Sequence, residues 1–254
     1  MFGLPDISVS AFGFITAGET HPRAAIDAIR ALGVRGITLD ASRSGLRPRE
    51  LGRSARRDLA ALLRRNELEF TGLDLWVPPE HFTNPSTAQR AIDAVGQALQ
   101  LSGELAPLVG GRSQPVVSVL LPTDLSSDSR STLGAFAMQH GAMLADHALM
   151  TDDQQPAPGV RVGIDPVFYL TDGSSPGKAV TRAGSDLVSA RLSDTTAMGR
   201  CVVGAQGGKL DLQSYAGALI VSGQQWVTLD VRDFPEPGAA VAKSIEAWRE
   251  AGTL

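Results

Sequence analysis

Asp165, Arg191 and Asp230 are the residues whose types and places could do chemistry. From Val160 the chain reads VRVGIDPVFYLTDGSSPGKAVTRAGSDLVSARLSDT. Two short β-branched runs, Val160–Ile164 and Leu187–Leu192, hand over to charge where their apolar character stops: Asp165 after the first, Arg191 and Asp194 at the end of the second. The same handover recurs at Asp40, Asp74, Asp124 and Asp230. In a parallel α/β protein the carboxyl ends of the strands are where reactive groups collect. Carboxylates there can take a proton or hold a cation, and an arginine among them can steady developing negative charge.

Each residue also has a plainer reading. Asp165 could cap the turn that follows it. Arg191 inside a barrel would need a carboxylate partner, with Asp165, Asp194 and Asp230 available; its planar fork could equally bind a sugar hydroxyl, carboxylate or phosphate. Alternation of Leu187, Ser189 and Arg191 with Val188, Ala190 and Leu192 places the polar set on one face, expected to point inward. Arg232 and Asp233 read as a solvated loop. Asp40, Asp74 and Asp194 are candidate substrate contacts. Trp76 is expected over the barrel mouth, as core or as a platform for a sugar ring. His81, in the loop after it, could exchange a proton with substrate or be an ordinary loop residue. His140 and His147 fall on one predicted helix, but i,i+7 is about 10 Å, too far for one ion.

The elements that would position these residues alternate. Ile7–Phe14 is the first strand candidate. A helix opens near Thr20–Pro22 and stops at Gly33, and GITLD (36–40) is the second strand. Arg47–Arg65 is an arginine-rich helix, either a solvated outer face or a phosphate or partner surface. EFTGLDLWV (69–77) is the third strand and PVVSVLL (115–121) the fourth; the helix between them is expected over about 86–101. A helix over about 131–150 and a polar, Pro-rich connection at 152–159 lead to the Asp165 strand. WVTLD (226–230) is the last strand, and Pro237–Ala251 the closing helix. Strand–helix alternation implies a parallel sheet with right-handed crossovers. About seven strands are legible, so a barrel incomplete near its third quarter is expected.

Composition narrows the classes. At 254 residues and 43% hydrophobic, one α/β barrel spanning 1–254 is the simplest organisation. A net charge of −4 and a pI near 5.6 argue against a general nucleic-acid binder. The lone Cys201 excludes an internal disulfide. No run approaches the ~20 apolar residues of a membrane span. The start, MFGLPDISVSAFGF, has no basic region and meets Asp6 at once, so a cytoplasmic protein is expected. Homo-oligomerisation stays open.

The C-terminal third resembles the xylose isomerase-like TIM barrels, the superfamily of sugar phosphate isomerases and epimerases that also includes endonuclease IV. Val162-Gly163-Ile164-Asp165 is similar to the family strand whose terminal Asp opens an Asp-x-x-His motif. LVSARLSD (187–194) resembles its His-x-His-x-Lys-Asp strand. GAQGGKLDL (204–212), with the helix and acid-ended strand that follow, resembles its glycine loop and final Glu strand. The resemblance implies a divalent metal held by two Glu, an Asp and a His. Here Phe168, Ser189 and Arg191 stand where histidines would be, and Asp230 replaces the final Glu. Asp165 and Asp230 are the remaining metal candidates; they suit magnesium or manganese, and zinc is not expected.

The function implied is isomerisation or epimerisation of a small sugar or hydroxy acid by proton transfer next to a carbonyl. Asp165 and Asp230 would supply base and contacts, and Arg191 would hold the enediolate. The rival is a non-catalytic barrel binding a sugar-like ligand or a protein partner. A nuclease would need a His-rich multi-metal site, which four histidines scattered through the chain do not supply.

Overall fold

The computed structural model describes residues 3–15, 21–111, 113–150, 157–232 and 234–252. Thr20, Asp233 and most of the Pro-rich connection (151–156) lie outside the described residues.

Eight parallel strands close into a TIM-type barrel in the order β1-β10-β7-β6-β5-β4-β3-β2. They are β1 (Asp6–Ser10), β2 (Gly36–Asp40), β3 (Glu69–Asp74), β4 (Val116–Val119), β5 (Met143–Asp146), β6 (Val160–Ile164), β7 (Leu187–Leu192) and β10 (Trp226–Leu229). Helices return the chain between most of them: α1 (Arg23–Ala31), α2 (Arg53–Arg65), α4 (Ala88–Val109), α5 (Ser127–His140), α7 (Pro176–Ala183), α8 (Leu212–Ser222) and α9 (Pro237–Ala251). The short helices α3 (Glu80–Thr83) and α6 (Pro166–Asp172) and an antiparallel hairpin, β8 (Asp194–Thr196) with β9 (Gly199–Cys201), sit beyond the carboxyl ends of their strands. No described helix is long and apolar enough to cross a membrane.

The barrel is complete, contrary to the count of about seven. The eighth strand is β5, which the sequence pattern merges into a helix over about 131–150. That helix stops at His140 because Gly141 adopts a left-handed conformation (φ 63°), which a Cβ would oppose, and its N–H caps the carbonyls of Ala137 and Met138. Met143–Asp146 then extends and pairs with β4 and β6. His140 therefore ends a helix at the amino end of the barrel, while His147 lies just past a strand at the carboxyl end.

The hydrophobic core lies between sheet and helices, with Ile37, Leu39, Leu73, Val117, Leu144 and Leu229 fully or almost fully covered. Each such side chain contributes roughly 1.5–3 kcal/mol on burial. The barrel interior is different. Its lower layer is hydroxyls, Ser8, Thr38, Thr71, Ser118, Ser189 and Thr228. Its upper layer is charged: Asp40, Asp74, Asp165, Arg191 and Asp230, all buried. The alternation of β7 runs as expected, with Ser189 bonded across the interior to Ser118 and Arg191 one step above.

Candidate functional site

The upper layer forms a network of four carboxylates and four guanidiniums at the carboxyl end of the barrel. Asp74 ends β3 and receives Arg191 from β7 on both carboxylate oxygens, Nη1 at 3.2 Å and Nη2 in a shorter contact. Both side chains are wholly covered. Ser10 donates to the same carboxylate at 2.6 Å. The partner of Arg191 is thus Asp74, not Asp165, Asp194 or Asp230. Registers decide this: the side chains of β3 and β7 meet across the barrel, while Asp165 and Asp230 stand past their strand ends and meet other cations. Tyr215 of α8 anchors the arginine's backbone by donating to its carbonyl at 2.8 Å.

Asp165 caps α6 through the Val167 N–H (3.1 Å) and also accepts Ser193 Oγ (2.6 Å) and Arg200 Nη2 (2.8 Å). Arg200 comes from the β8–β9 hairpin and reaches on to Asp230, 3.7 Å away. Asp230 also receives Arg232 Nε at 2.7 Å and the Arg232 N–H at 3.1 Å. Burial alone would raise the Asp230 carboxyl. The charge and hydrogen bonds of Arg232, with Arg200 and Arg191, outweigh it and hold the group far below the ordinary carboxylate range. Arg232 is not solvated loop: it lies over Trp76 at 4.3 Å and Phe12 at 5.7 Å. Arg43 covers Phe12 at 4.2 Å and pairs with Asp40, and Arg191 lies 5.3 Å from the Trp76 ring. Cations and rings alternate from Arg43 to Arg191, which fixes the guanidiniums without exposing the rings. Burial raises the Asp40 carboxyl, against the hydrogen bonds of Ser42.

His147 completes the layer. Its imidazole is fully buried, edge-on to Trp76 (centroids 5.9 Å apart, planes at 62°), and neither ring nitrogen has a hydrogen-bond partner among the described residues. Desolvation, followed by Arg191 and Arg232, holds its pKa well below the usual value, so the ring is neutral at physiological pH. Gly163 makes room for it: a Cβ there would lie 2.5 Å from the ring.

The other predicted residues scatter. Trp76 stands at the mouth as expected. Asp194 turns away from it: one oxygen accepts the N–H groups of Thr195 (2.7 Å), Lys209 (2.9 Å) and Leu210 (2.9 Å), so it staples the glycine loop. His81 is exposed on α3 and Asp124 is exposed past β4. From the sequence, Arg43 and Arg200 have no functional role, Arg232 reads as solvated loop and His147 as part of a helix. Arg232 follows Asp230 by two positions, and Gly141 marks the break that frees His147 from a helix.

The divalent metal implied by the resemblance does not fit this donor set. Asp74, Asp165 and Asp230 each hold a guanidinium, and Arg200 stands between the two that were metal candidates. Among the described residues no three His, Cys, Asp or Glu side chains gather to hold an ion. A cation here would face Arg191, Arg200 and Arg232 at close range.

Solved structures share the whole architecture. A D-psicose 3-epimerase with D-tagatose from Clostridium cellulolyticum H10 superposes with a TM-score of 0.71 at 13% identity, over 97% of this chain and 99% of that one. The fold is the xylose isomerase-like barrel. A xylose isomerase domain protein from Planctomyces limnophilus matches this barrel at TM-score 0.69 and 14% identity, over 99% and 98% of the two chains. A sugar phosphate isomerase/epimerase from Parabacteroides distasonis ATCC 8503 matches at TM-score 0.69 and 9% identity, over 100% and 96%. No family model matches the chain, and no curated protein does. In this chain a barrel of that fold carries an arginine network at its mouth.

Proposed function

We propose that the mouth binds a small anionic sugar-like molecule, a sugar phosphate or hydroxy acid, and moves a proton on the carbon next to its carbonyl. The layering of charge carries this reading. The side chains of Asp40, Asp165 and Asp230 are wholly covered, whereas Arg43 is 31% exposed and Arg200 and Arg232 are 17% exposed. An entering ligand meets guanidiniums with carboxylates behind them. Planar forks suit carboxylate and phosphate oxygens. The same forks can hold the negative charge of an enediolate as it forms.

The proton acceptor in this reading is His147. Neither ring nitrogen has a hydrogen-bond partner among the described residues, so the imidazole can take the proton through a water, at the cost of placing an imidazolium beside Arg191 and Arg232. Asp230, held ionised by Arg232, is a poor base.

One observation favours a second reading, a non-catalytic barrel that binds the same ligand. Every carboxylate of the mouth is already engaged, and His147 is wholly covered.

Calorimetric titration with dihydroxyacetone phosphate, D-fructose 6-phosphate and D-fructose tests the ligand class. The phosphorylated ketoses should bind at least about tenfold more tightly than D-fructose, and Arg232→Gln or Arg200→Gln should remove most of that difference. Binding of the phosphorylated ketoses that neither Arg232→Gln nor Arg200→Gln weakens would contradict the proposal.

A further inference from the structure

The opposite end of the barrel carries a second site. A cavity of about 360 Å³ opens at the amino ends of the strands and runs into the barrel interior. TIM-barrel interiors are ordinarily filled by layers of bulky branched side chains. Here the positions that would fill this end are Thr38, Thr71, Ser118, Ser189 and Thr228, and the space they leave stays open.

The lining carries no charged side chain; hydroxyls and amides share it with apolar surface from Val116, Met143, Leu187 and Trp226. Ser8, Thr38 and Thr71 bond one another at 2.7–3.0 Å, and Thr71 donates to the Ile37 carbonyl at 3.0 Å. Ser118 and Ser189 share one bond of 3.3 Å, which leaves a hydroxyl donor over. Three glutamines rim the opening, each anchored at one end. Gln114 donates to the Gly141 carbonyl (3.2 Å) and Gln224 to the Leu187 carbonyl (2.8 Å), and Gln225 Oε1 lies 3.1 Å from Ser113 Oγ, sharing its one proton with the Glu69 carboxylate at 3.2 Å just outside the lining. Their other amide ends have no hydrogen bond among the described residues. Trp226 supplies an apolar wall. Its ring lies across Gly36, where a Cβ would sit 2.6 Å away, and its indole N–H is fixed on Ser113 at 3.2 Å.

We infer that this cavity binds a small neutral polyhydroxy compound, a polyol or an unphosphorylated monosaccharide. The volume falls within the ~300–1,000 Å³ of small-molecule sites. Hydroxyls and amides can each donate and accept, which matches a polyol and offers an anion no counter-charge. The apolar CH face of such a molecule fits against indole. The site is separate from the arginine mouth and does not depend on it.

Titration with xylitol and D-fructose, followed by NMR of the Trp226 indole N–H, tests the inference. Xylitol should shift this resonance saturably. Ser189→Leu, which fills the cavity, and Gln225→Ala at its rim should each weaken binding by roughly tenfold or more. Arg232→Gln, at the other end, should leave it unchanged. Gln225→Ala carries the test alone if Ser189→Leu does not fold. No saturable shift with either compound would overturn the inference, as would loss of binding in Arg232→Gln but not in Gln225→Ala. A crystal soaked in xylitol that shows only water in the cavity would overturn it too.

Discussion

Arg191 and Asp74, 117 residues apart in sequence, form a two-pronged ion pair inside the barrel with no solvent contact on either side chain. Such a pair specifies which strands face each other more than it stabilises the fold, because desolvation of both charges offsets most of their attraction.

Removing one partner should therefore be far worse than removing both. Arg191→Met or Asp74→Leu alone leaves a buried charge and should cost roughly 3–5 kcal/mol. The double variant Asp74→Leu/Arg191→Met should recover much of that loss. Urea denaturation of the three variants measures it. An additive double variant would mean that the two side chains are not coupled.

Acid should weaken the fold in a window set by Asp230. Its carboxyl is held below the ordinary range, so the unfolded chain takes up the proton first as pH falls. The stabilisation is full above the unfolded value, about 3.9, and is lost as pH drops below it toward the folded value. Arg232→Gln should shrink this acid loss, visible as a flatter dependence of the urea midpoint on pH.

His147 gives a second window at higher pH. Its folded pKa is depressed, so the unfolded chain binds the proton more readily below about 6.5. Stability should be full above that pH and fall beneath it. His147→Phe should remove this limb while keeping the acid limb of Asp230. Gly163→Ala should displace the imidazole, since its Cβ would meet the ring.

Asp194 predicts a local effect. Asp194→Ala removes the acceptor for the Thr195 and Leu210 N–H groups, while that of Lys209 keeps the Thr195 carbonyl, and should speed hydrogen exchange at Thr195 and Leu210 by roughly tenfold or more, at about 1–3 kcal/mol of local stability. Exchange at Thr38 and Leu39 should not change.

Most strands were legible because their apolar runs stop abruptly, several of them at Asp or Arg, and the alternation of β7 told which side faced inward. Pairing was not legible. Whether Arg191 meets Asp74, Asp165 or Asp230 depends on barrel closure and on how far each side chain stands past its strand, and neither leaves a mark in sequence. His147 was hidden because the alanine and methionine spacing around Gly141 suits a helix as well as a strand. Arg200 rides a hairpin only three residues per strand, too short to show a period. The hydroxyl layer could have been read from Ser8, Thr38, Thr71, Ser118, Ser189 and Thr228, each on the inward face of its strand.

In the proposed reaction guanidiniums and a neutral imidazole, rather than a metal, move a proton next to a carbonyl. This is tested most directly by NMR of dihydroxyacetone phosphate and D-fructose 6-phosphate in D₂O with the protein and excess chelator. The expected result is protein-dependent deuterium incorporation at the carbon beside the carbonyl, insensitive to chelator and lost in His147→Gln and Arg232→Gln. Incorporation that needs added magnesium or manganese, or that survives both substitutions, would contradict it, as would no incorporation into either ketose.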